Sequence, residues 1–143
     1  MLDIQLDVSA AFLERWRQLI ADTLTPDAIG GRDARAPFAD IVRRDWTGEA
    51  SPASAAYRFT RMFREQVSER VMLFVLAECY EADRTFDHTT LRRREGAIWK
   101  LLTERPMHLL DARYASWQEL LLDAVDAVID EAAEDGALEE RVW

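Results

Sequence analysis

The chain has 143 residues, an ordinary length for one domain, and 49% of them are hydrophobic, so it can bury a core without disulfides or metal ions. Its formal net charge of −9, from 27 acidic and 18 basic residues, argues against nucleic acid or an anionic membrane as a partner. The single cysteine, Cys79, excludes an intrachain disulfide. The longest apolar run, residues 71–77, is too short to span a bilayer.

Apolar residues recur at helical spacing along almost the whole chain, whereas Pro and Gly are scarce. The first predicted helix covers about residues 9–24 and ends at Thr25-Pro26. A short second helix opens near Pro37. Residues 51–81 then predict a long central helix with a wide apolar face, started by Ser51-Pro52.

Two further helices complete the predicted bundle. One covers about residues 90–103 and is stopped by Glu104-Arg105-Pro106. The other runs to about residue 134, where Gly136 follows, and it starts at Ser116, which forms a capping-box pattern with Glu119. We therefore expect an all-α fold, a compact bundle of about five helices, with residues 1–143 forming one helical domain.

The residue types that carry catalysis or bind metals are sparse. His88 follows Asp87, which could orient it as a general base, but a capping pair is the interpretation we favour. His108 follows Pro106 in an apolar loop and predicts a structural role. Neither histidine has a second histidine at zinc-site spacing, and Cys79 lies in an apolar helical stretch that predicts a buried, inert thiol.

Two charged clusters have one functional and one structural interpretation each. Carboxylates recur at three and four residues along the last helix, at Asp123, Asp126, Asp130 and Glu134, and they form either a cation site or a solvated face. Arginines cluster on the third and fourth helices, and they form either a phosphate site or surface ion pairs, such as one between Arg61 and Glu65. These arginines are Arg58, Arg61, Arg64, Arg92, Arg93 and Arg94. The structural interpretation is favoured for both clusters, and none of the five serines lies in a nucleophile-elbow motif.

Three stretches nevertheless resemble a known family. Residues 1–10 contain Ile4-Gln5-Leu6-Asp7, similar to an "iQ-x-D" element of the penicillin amidase (penicillin acylase) family. Residues 45–56, with Trp46-Thr47-Gly48 followed by Ser54-Ala55-Ala56, resemble its "W-D/N-G…S-x-A-A" element, although Thr47 stands where an acidic or amide residue is usual. Residues 99–117 resemble the stretch that leads to the next helix of that family.

The resemblance implies an internal helical segment of the larger chain of an N-terminal-nucleophile hydrolase, packed against an αββα sandwich. Such a parent cleaves acyl amides, for example β-lactam side chains or acyl-homoserine lactones, with an N-terminal serine whose own amino group is the base and with an oxyanion asparagine. This chain contains no asparagine, and no serine stands at its start. We therefore expect no catalytic, cofactor-binding or metal-binding residues in it, and no amidase activity from the chain alone.

The expected partner is the remainder of the parent hydrolase, with a homodimer of the segment as a further expectation, because an excised helical face tends to be covered again. The parent is expected to be periplasmic or secreted by family resemblance, and the residues leave the localisation of the segment unknown. A free-standing acidic helical domain that binds a protein partner is the alternative from a different functional class.

Overall fold

A computed structural model of the chain describes residues 2–46, 48, 51 and 53–136, and the side chains of residues 2–11 are not described. Across this part of the chain there are seven α-helices and two 3-10 turns, and no strand. The helices are α1 (Leu2–Thr23), α2 (Pro26–Gly30), α3 (Arg35–Arg44), α4 (Ala55–Val75), α5 (Ala77–Ala82), α6 (Arg94–Glu104) and α7 (Trp117–Glu134). The 3-10 turns cover His88–Thr90 and Met107–Leu109. The prediction of an all-α bundle is confirmed.

The central helix α4 packs against α1, α3, α6 and α7. Its apolar side chains repeat every three or four residues, so one broad face lies in the core, and Phe59, Phe63, Val67 and Val71 are fully buried there. Helix α7 supplies the opposite side of the core through a continuous apolar stripe. Its buried residues are Trp117, Leu120, Leu121, Ala124, Val125, Val128, Ile129 and Ala132.

Aromatic rings set the contacts between helices at two levels of the bundle. Near α1, the fully buried Trp16 meets Phe63 of α4 edge-on, with ring centroids 6.3 Å apart, and Trp99 of α6 at 5.2 Å. Near α3, Phe38 stacks on Phe59 with centroids 5.5 Å apart. Offset and edge-on pairs of this kind add specific geometry to the burial of large rings.

Three predicted helix starts are wrong. Helix α1 already begins at Leu2, seven residues before its predicted start, because residues 2–8 contain no Pro or Gly to end it. Helix α4 begins after Ser54, whose side chain caps it by accepting a hydrogen bond from the N–H of Tyr57 at 3.2 Å. Pro52, part of the predicted start, lies outside the described residues. The predicted start of α6 near Thr90 is occupied by a 3-10 turn.

Two short helices were not predicted. The Thr25-Pro26 pair that ends α1 also starts α2, since Thr25 accepts a hydrogen bond from the N–H of Ala28 and Pro26 is tolerated in a first turn. The long third helix expected to reach residue 81 is interrupted at Leu76, where φ and ψ are −104° and 19°. Helix α5 follows this break, so the central helix ends at Val75, six residues before its predicted end.

The start of α7 is close to the prediction. Ser116 accepts a hydrogen bond from the N–H of Glu119 at 3.2 Å, as a capping box requires. The carboxylate of Glu119, however, accepts from the N–H of Ala115, one residue before the cap. Gly136 follows the helix with a φ of 69°, in the left-handed region that glycine adopts without strain, as expected of a helix end.

Truncation of the central aromatic layer tests this packing. We expect Phe63→Ala to lower the free energy of unfolding by about 3–5 kcal/mol, because it removes a fully buried ring and leaves a cavity beside Trp16. Leu73→Ala on the same helix is the control: this side chain is 44% exposed, and its loss should cost less than about 1 kcal/mol. Urea unfolding followed by circular dichroism measures both, and equal losses would contradict the assignment of the core.

Candidate functional site

A carboxylate at the start of α6 joins three helices. Glu95 accepts hydrogen bonds from the indole N–H of Trp16 at 2.7 Å, from Arg15 at 3.3 Å and from Nε of Arg64 at 3.0 Å. Arg15 is itself held between the rings of Phe12 and Trp99, with its guanidinium carbon 4.6 Å and 4.5 Å from their centroids. The buried indole N–H of Trp16 thus has its hydrogen-bond acceptor in Glu95, whose side chain is largely removed from water.

The environment of Glu95 favours its charged form. Partial burial raises the pKa of a carboxyl group, but the hydrogen bonds from Arg64 and Trp16 and the positive charge of Arg64 outweigh burial and hold the pKa of Glu95 below its ordinary value of 4.5. A carboxylate held ionised in this way is a poor general acid. It suits a structural ion pair better than proton transfer.

Three carboxylates of the acidic row on α7 bind arginines from other parts of the chain. Asp126 binds Arg35 through two hydrogen bonds of 2.9 Å and 2.7 Å, and it also lies 3.3 Å from Arg32. Asp130 accepts a hydrogen bond from Arg32, and Asp123 accepts from Arg70 at 2.9 Å. The favoured interpretation of a solvated face is confirmed for Asp123, Asp130 and Glu134, which are exposed, although the first two also bind arginines. Asp126 differs, because its side chain is only 25% exposed and it is held by Arg35 and Arg32.

The hydrogen bonds around Asp123 shift the pKa values of Asp123 and Tyr114. Burial acts to raise the pKa of Asp123, but hydrogen bonds from Tyr114 and Arg70 hold it below its ordinary value. The pKa of Tyr114 is raised in turn, by its own burial and by its hydrogen bond to Asp123 at 2.7 Å. Among the described residues, no group of three or more His, Cys, Asp or Glu side chains is arranged to hold a metal ion.

The two arginine clusters have different surroundings. Arg61 lies 3.5 Å from Glu65, which confirms the predicted ion pair, and Arg64 is bound to Glu95. Arg58 and Arg61 line a cleft of about 360 Å³ between α4 and the end of α7. Arg94 lines a second cleft, of about 340 Å³, between α4 and residues 88–94.

The histidines and the cysteine differ from their predictions in part. Asp87 caps the 3-10 turn by accepting from the N–H of Thr89 at 2.8 Å, so its predicted capping role is confirmed. The ring of His88 pairs instead with the hydroxyl of Tyr80, which sequence spacing did not indicate. His108 is exposed in the second 3-10 turn, and its ring makes no hydrogen bond to the described residues. Cys79 is exposed, so the predicted burial is wrong: it lies on α5, beyond the break at Leu76, and α5 has no buried residue.

The described serines serve the fold. No hydrogen bond among the described residues joins a serine, threonine or cysteine side chain to a histidine, and Ser54 and Ser116 serve as helix caps. No helix in the same part of the chain is long and apolar enough to cross a membrane. Comparisons with protein-family models, curated proteins and solved structures found no match for this chain.

Acidification tests the role of Glu95. Its lowered pKa means that it contributes stability at pH values above the ordinary carboxyl pKa of 4.5, and that this contribution is lost as the pH falls through the lower pKa of the folded state. Glu95→Gln should therefore destabilise the protein at neutral pH and lose less stability than the wild type on further acidification. Urea unfolding at a series of pH values measures both effects.

Glu104→Gln is the matched control, because within the described part of the chain Glu104 forms a single, exposed ion pair, with Lys100 at 3.9 Å. It should follow the wild-type pH dependence. If Glu95→Gln showed the same pH dependence as Glu104→Gln, the carboxylate of Glu95 would not be the acid-sensitive group.

Chelation tests whether arginines alone satisfy the carboxylates of α7. Because Asp123, Asp126 and Asp130 already have arginine partners, we expect thermal melts with and without EDTA to coincide. Circular dichroism at the helical minimum is the measurement. A melting temperature lowered by more than a few degrees in EDTA, and restored by one added divalent cation, would show a structural metal ion.

Proposed function

We propose that this chain is the helical structural part of a penicillin-amidase-type amide hydrolase and that it takes no direct part in bond cleavage. The proposal rests on the resemblance of three stretches to that family. Two of these stretches, residues 45–56 and 99–117, contain described side chains. In both, residues that resemble the family stabilise the helical bundle, and this observation supports the proposal.

The element around residues 45–56 ties a loop to the start of α4. The hydroxyl of Ser54 donates a hydrogen bond to the carbonyl of Asp45 at 2.8 Å while it caps α4. Ala55 and Ala56 follow, and both are buried. Their small side chains let the first turn of α4 approach its neighbours closely. Trp46 packs against the edge of the same core.

The element around residues 99–117 ties α6 to α7. The indole N–H of Trp117 donates to the carbonyl of Pro106 at 3.3 Å, and Ser116 caps α7. The hydroxyl of Tyr114 donates to Asp123, nine residues further along the chain. Each of these residues fixes where α7 begins. A pattern that specifies helix starts and crossings is what a scaffold requires, whereas an active site requires converging reactive groups.

A second candidate function has its own observation. Met107 and Leu109, in the turn between α6 and α7, are 58% and 42% exposed, although both are large and apolar. Exposed apolar groups of this kind favour contact with another protein surface. This is what a free-standing helical interaction domain requires, and it is equally what a segment covered by the rest of a hydrolase requires.

The native polypeptide distinguishes the two functions. An antibody raised against this chain would isolate the polypeptide from its source, for mass spectrometry and an assay with chromogenic phenylacetyl and long-chain acyl amides. Under the proposal, this segment lies within a larger chain that starts with serine and that hydrolyses one of these amides. The chain of residues 1–143, purified as the control, should show no turnover, because it contains no asparagine to hold the oxyanion.

Two outcomes would overturn the proposal. One is a native polypeptide that carries no N-terminal serine and cleaves neither amide. The other is amide turnover by residues 1–143 themselves that remains with the purified chain through successive columns.

A further inference from the structure

The segment that joins α5 to α6, residues 83–93, contains no buried side chain. Nine of its eleven residues are exposed, and the other two, Phe86 and His88, are half-buried. Within the described part of the chain its hydrogen bonds go to partners in residues 79–94, so none of them ties it to α1, α4 or α7. Exposed connections with few outside contacts are the usual sites of proteolytic cleavage.

This segment leads into three consecutive arginines, Arg92, Arg93 and Arg94. The side chains of Arg92 and Arg93 are exposed, and neither forms an ion pair with the described residues. Arg94, in contrast, is half-buried at the start of α6 and donates a hydrogen bond to the carbonyl of His88 at 3.2 Å. Two cations are therefore open to contact with another protein, on a chain whose net charge is −9.

The backbone at these arginines is not helical. Leu91 is extended, with φ and ψ of −71° and 108°, and Arg93 has a φ of 64°, in the left-handed region. A residue with a β-carbon is disfavoured there, so cleavage beside Arg93 would relieve local strain. Because a protease binds its substrate in an extended conformation, such a segment is cut faster than a helix.

Most of the other basic residues that the structure describes lie within α-helices, whose backbone a protease cannot bind without unfolding it. Four lie outside the helices: Arg32, Arg84, Arg105 and Arg113. Arg32 forms ion pairs with two carboxylates of α7. Arg105 precedes a proline, whose nitrogen carries no hydrogen, and the bond between them is a poor protease substrate.

Arg84 and Arg113 lie in turns that side chains close. The residues on either side of Arg84 are joined, because Asp83 accepts two hydrogen bonds from Thr85. Arg113 forms an ion pair with Asp111 at 3.2 Å, and the same carboxylate accepts from the N–H of Arg113. The side chains of Arg92 and Arg93 make no contact of this kind with the described residues, so a protease would reach them first.

We propose that residues 83–93 form a processing site, where a serine protease of trypsin-like specificity cuts after Arg92 or Arg93. Such a protease has a carboxylate in the pocket that receives the side chain before the cut bond, and either arginine supplies the matching cation. The reaction is a hydrolysis: the peptide C–N bond breaks, water adds its hydroxyl to the carbonyl carbon, and its proton goes to the new amino group. This inference goes beyond the scaffold role proposed above and does not depend on it.

The two pieces remain associated after this cut. Helix α7 lies beyond the cut bond, and its eight buried residues stay in the core that it forms with α4. Glu95 also lies beyond the cut and keeps its hydrogen bonds from Trp16 and Arg64. Cleavage therefore frees the ends of residues 83–93 and leaves the bundle folded.

Limited proteolysis with trypsin tests the site. We expect the first cut between described residues to follow Arg92 or Arg93, as identified by mass spectrometry of the pieces. Size-exclusion chromatography without denaturant should then show one species of the size of the uncut chain. Circular dichroism should show unchanged helix content.

Two variants test the arginines. Arg92→Gln combined with Arg93→Gln should lengthen the half-life of a chain uncut between residues 2 and 136 by about tenfold, because the remaining bonds become accessible only after local opening. Arg113→Gln, at another exposed arginine outside the helices, is the matched control and should leave this half-life unchanged. Both variants should melt within a few degrees of the wild type, because the changed side chains are exposed.

The polypeptide isolated from its source tests whether the site is used. Mass spectrometry should find molecules with a new amino terminus at Arg93 or Arg94.

Four outcomes overturn the proposal. These are a first trypsin cut after any other described basic residue, pieces that separate without denaturant, an unchanged half-life of the double variant, and a native polypeptide that is continuous through residues 83–94. None of these measurements uses an amide substrate, so their failure is distinct from failure of the function proposed above.

Discussion

The carboxylate of Glu95 accepts hydrogen bonds from two helices while it lies at the start of a third. The indole of Trp16 has no exposed surface, so its N–H would remain unpaired without Glu95. Once the indole is fixed, its edge contacts with Phe63 and Trp99 set the distances from α1 to α4 and α6. A single negative charge thus determines the geometry of an aromatic layer, and two arginines keep that charge stable in a partly buried position.

This arrangement explains why α6 belongs to the bundle. Helix α6 has only two buried residues, Ile98 and Leu102, compared with eight on α7. Apolar burial alone therefore holds it less firmly, and its first turn has no side-chain cap. Glu95 lies in that first turn, where a negative charge also interacts favourably with the helix dipole. The hydrogen bonds of Glu95 thus hold the first turn of α6, and the burial of Ile98 and Leu102 holds the rest of this short helix in the core.

The sequence predicts the helices better than it predicts their ends. The apolar spacing of α4 and α7 is strong enough to identify both, and Ser116 marks the start of α7 correctly. The break at Leu76 is not visible in this spacing, because residues 71–77 are apolar throughout and contain neither Pro nor Gly. The prediction for Cys79 is wrong for the same reason: its burial was inferred from a helix that does not continue straight through Leu76.

The candidate site is less predictable still, because its groups meet only after folding. Trp16 lies on α1, and Glu95, which accepts the hydrogen bond of its indole, lies 79 positions further along the chain. In the sequence, Arg64 stands out only as part of a basic cluster. No local pattern indicates that Arg15, Trp16 and Arg64 all bind Glu95. That information exists only in the packing of α1, α4 and α6 against one another.

The arginine partners of the acidic residues on α7 could not be predicted from the sequence either. The spacing of these acidic residues is compatible with a cation site or with a solvated face, and both interpretations treat the row by itself. In the fold, Asp123 and Asp130 meet arginines that are 53 and 98 residues away in the chain. The forked guanidinium of Arg35 binds Asp126 through two hydrogen bonds, which a lysine could not reproduce. A row of carboxylates on a helix can therefore fix the position of that helix relative to several others, and the composition of 17 arginines and one lysine suits this use of charge.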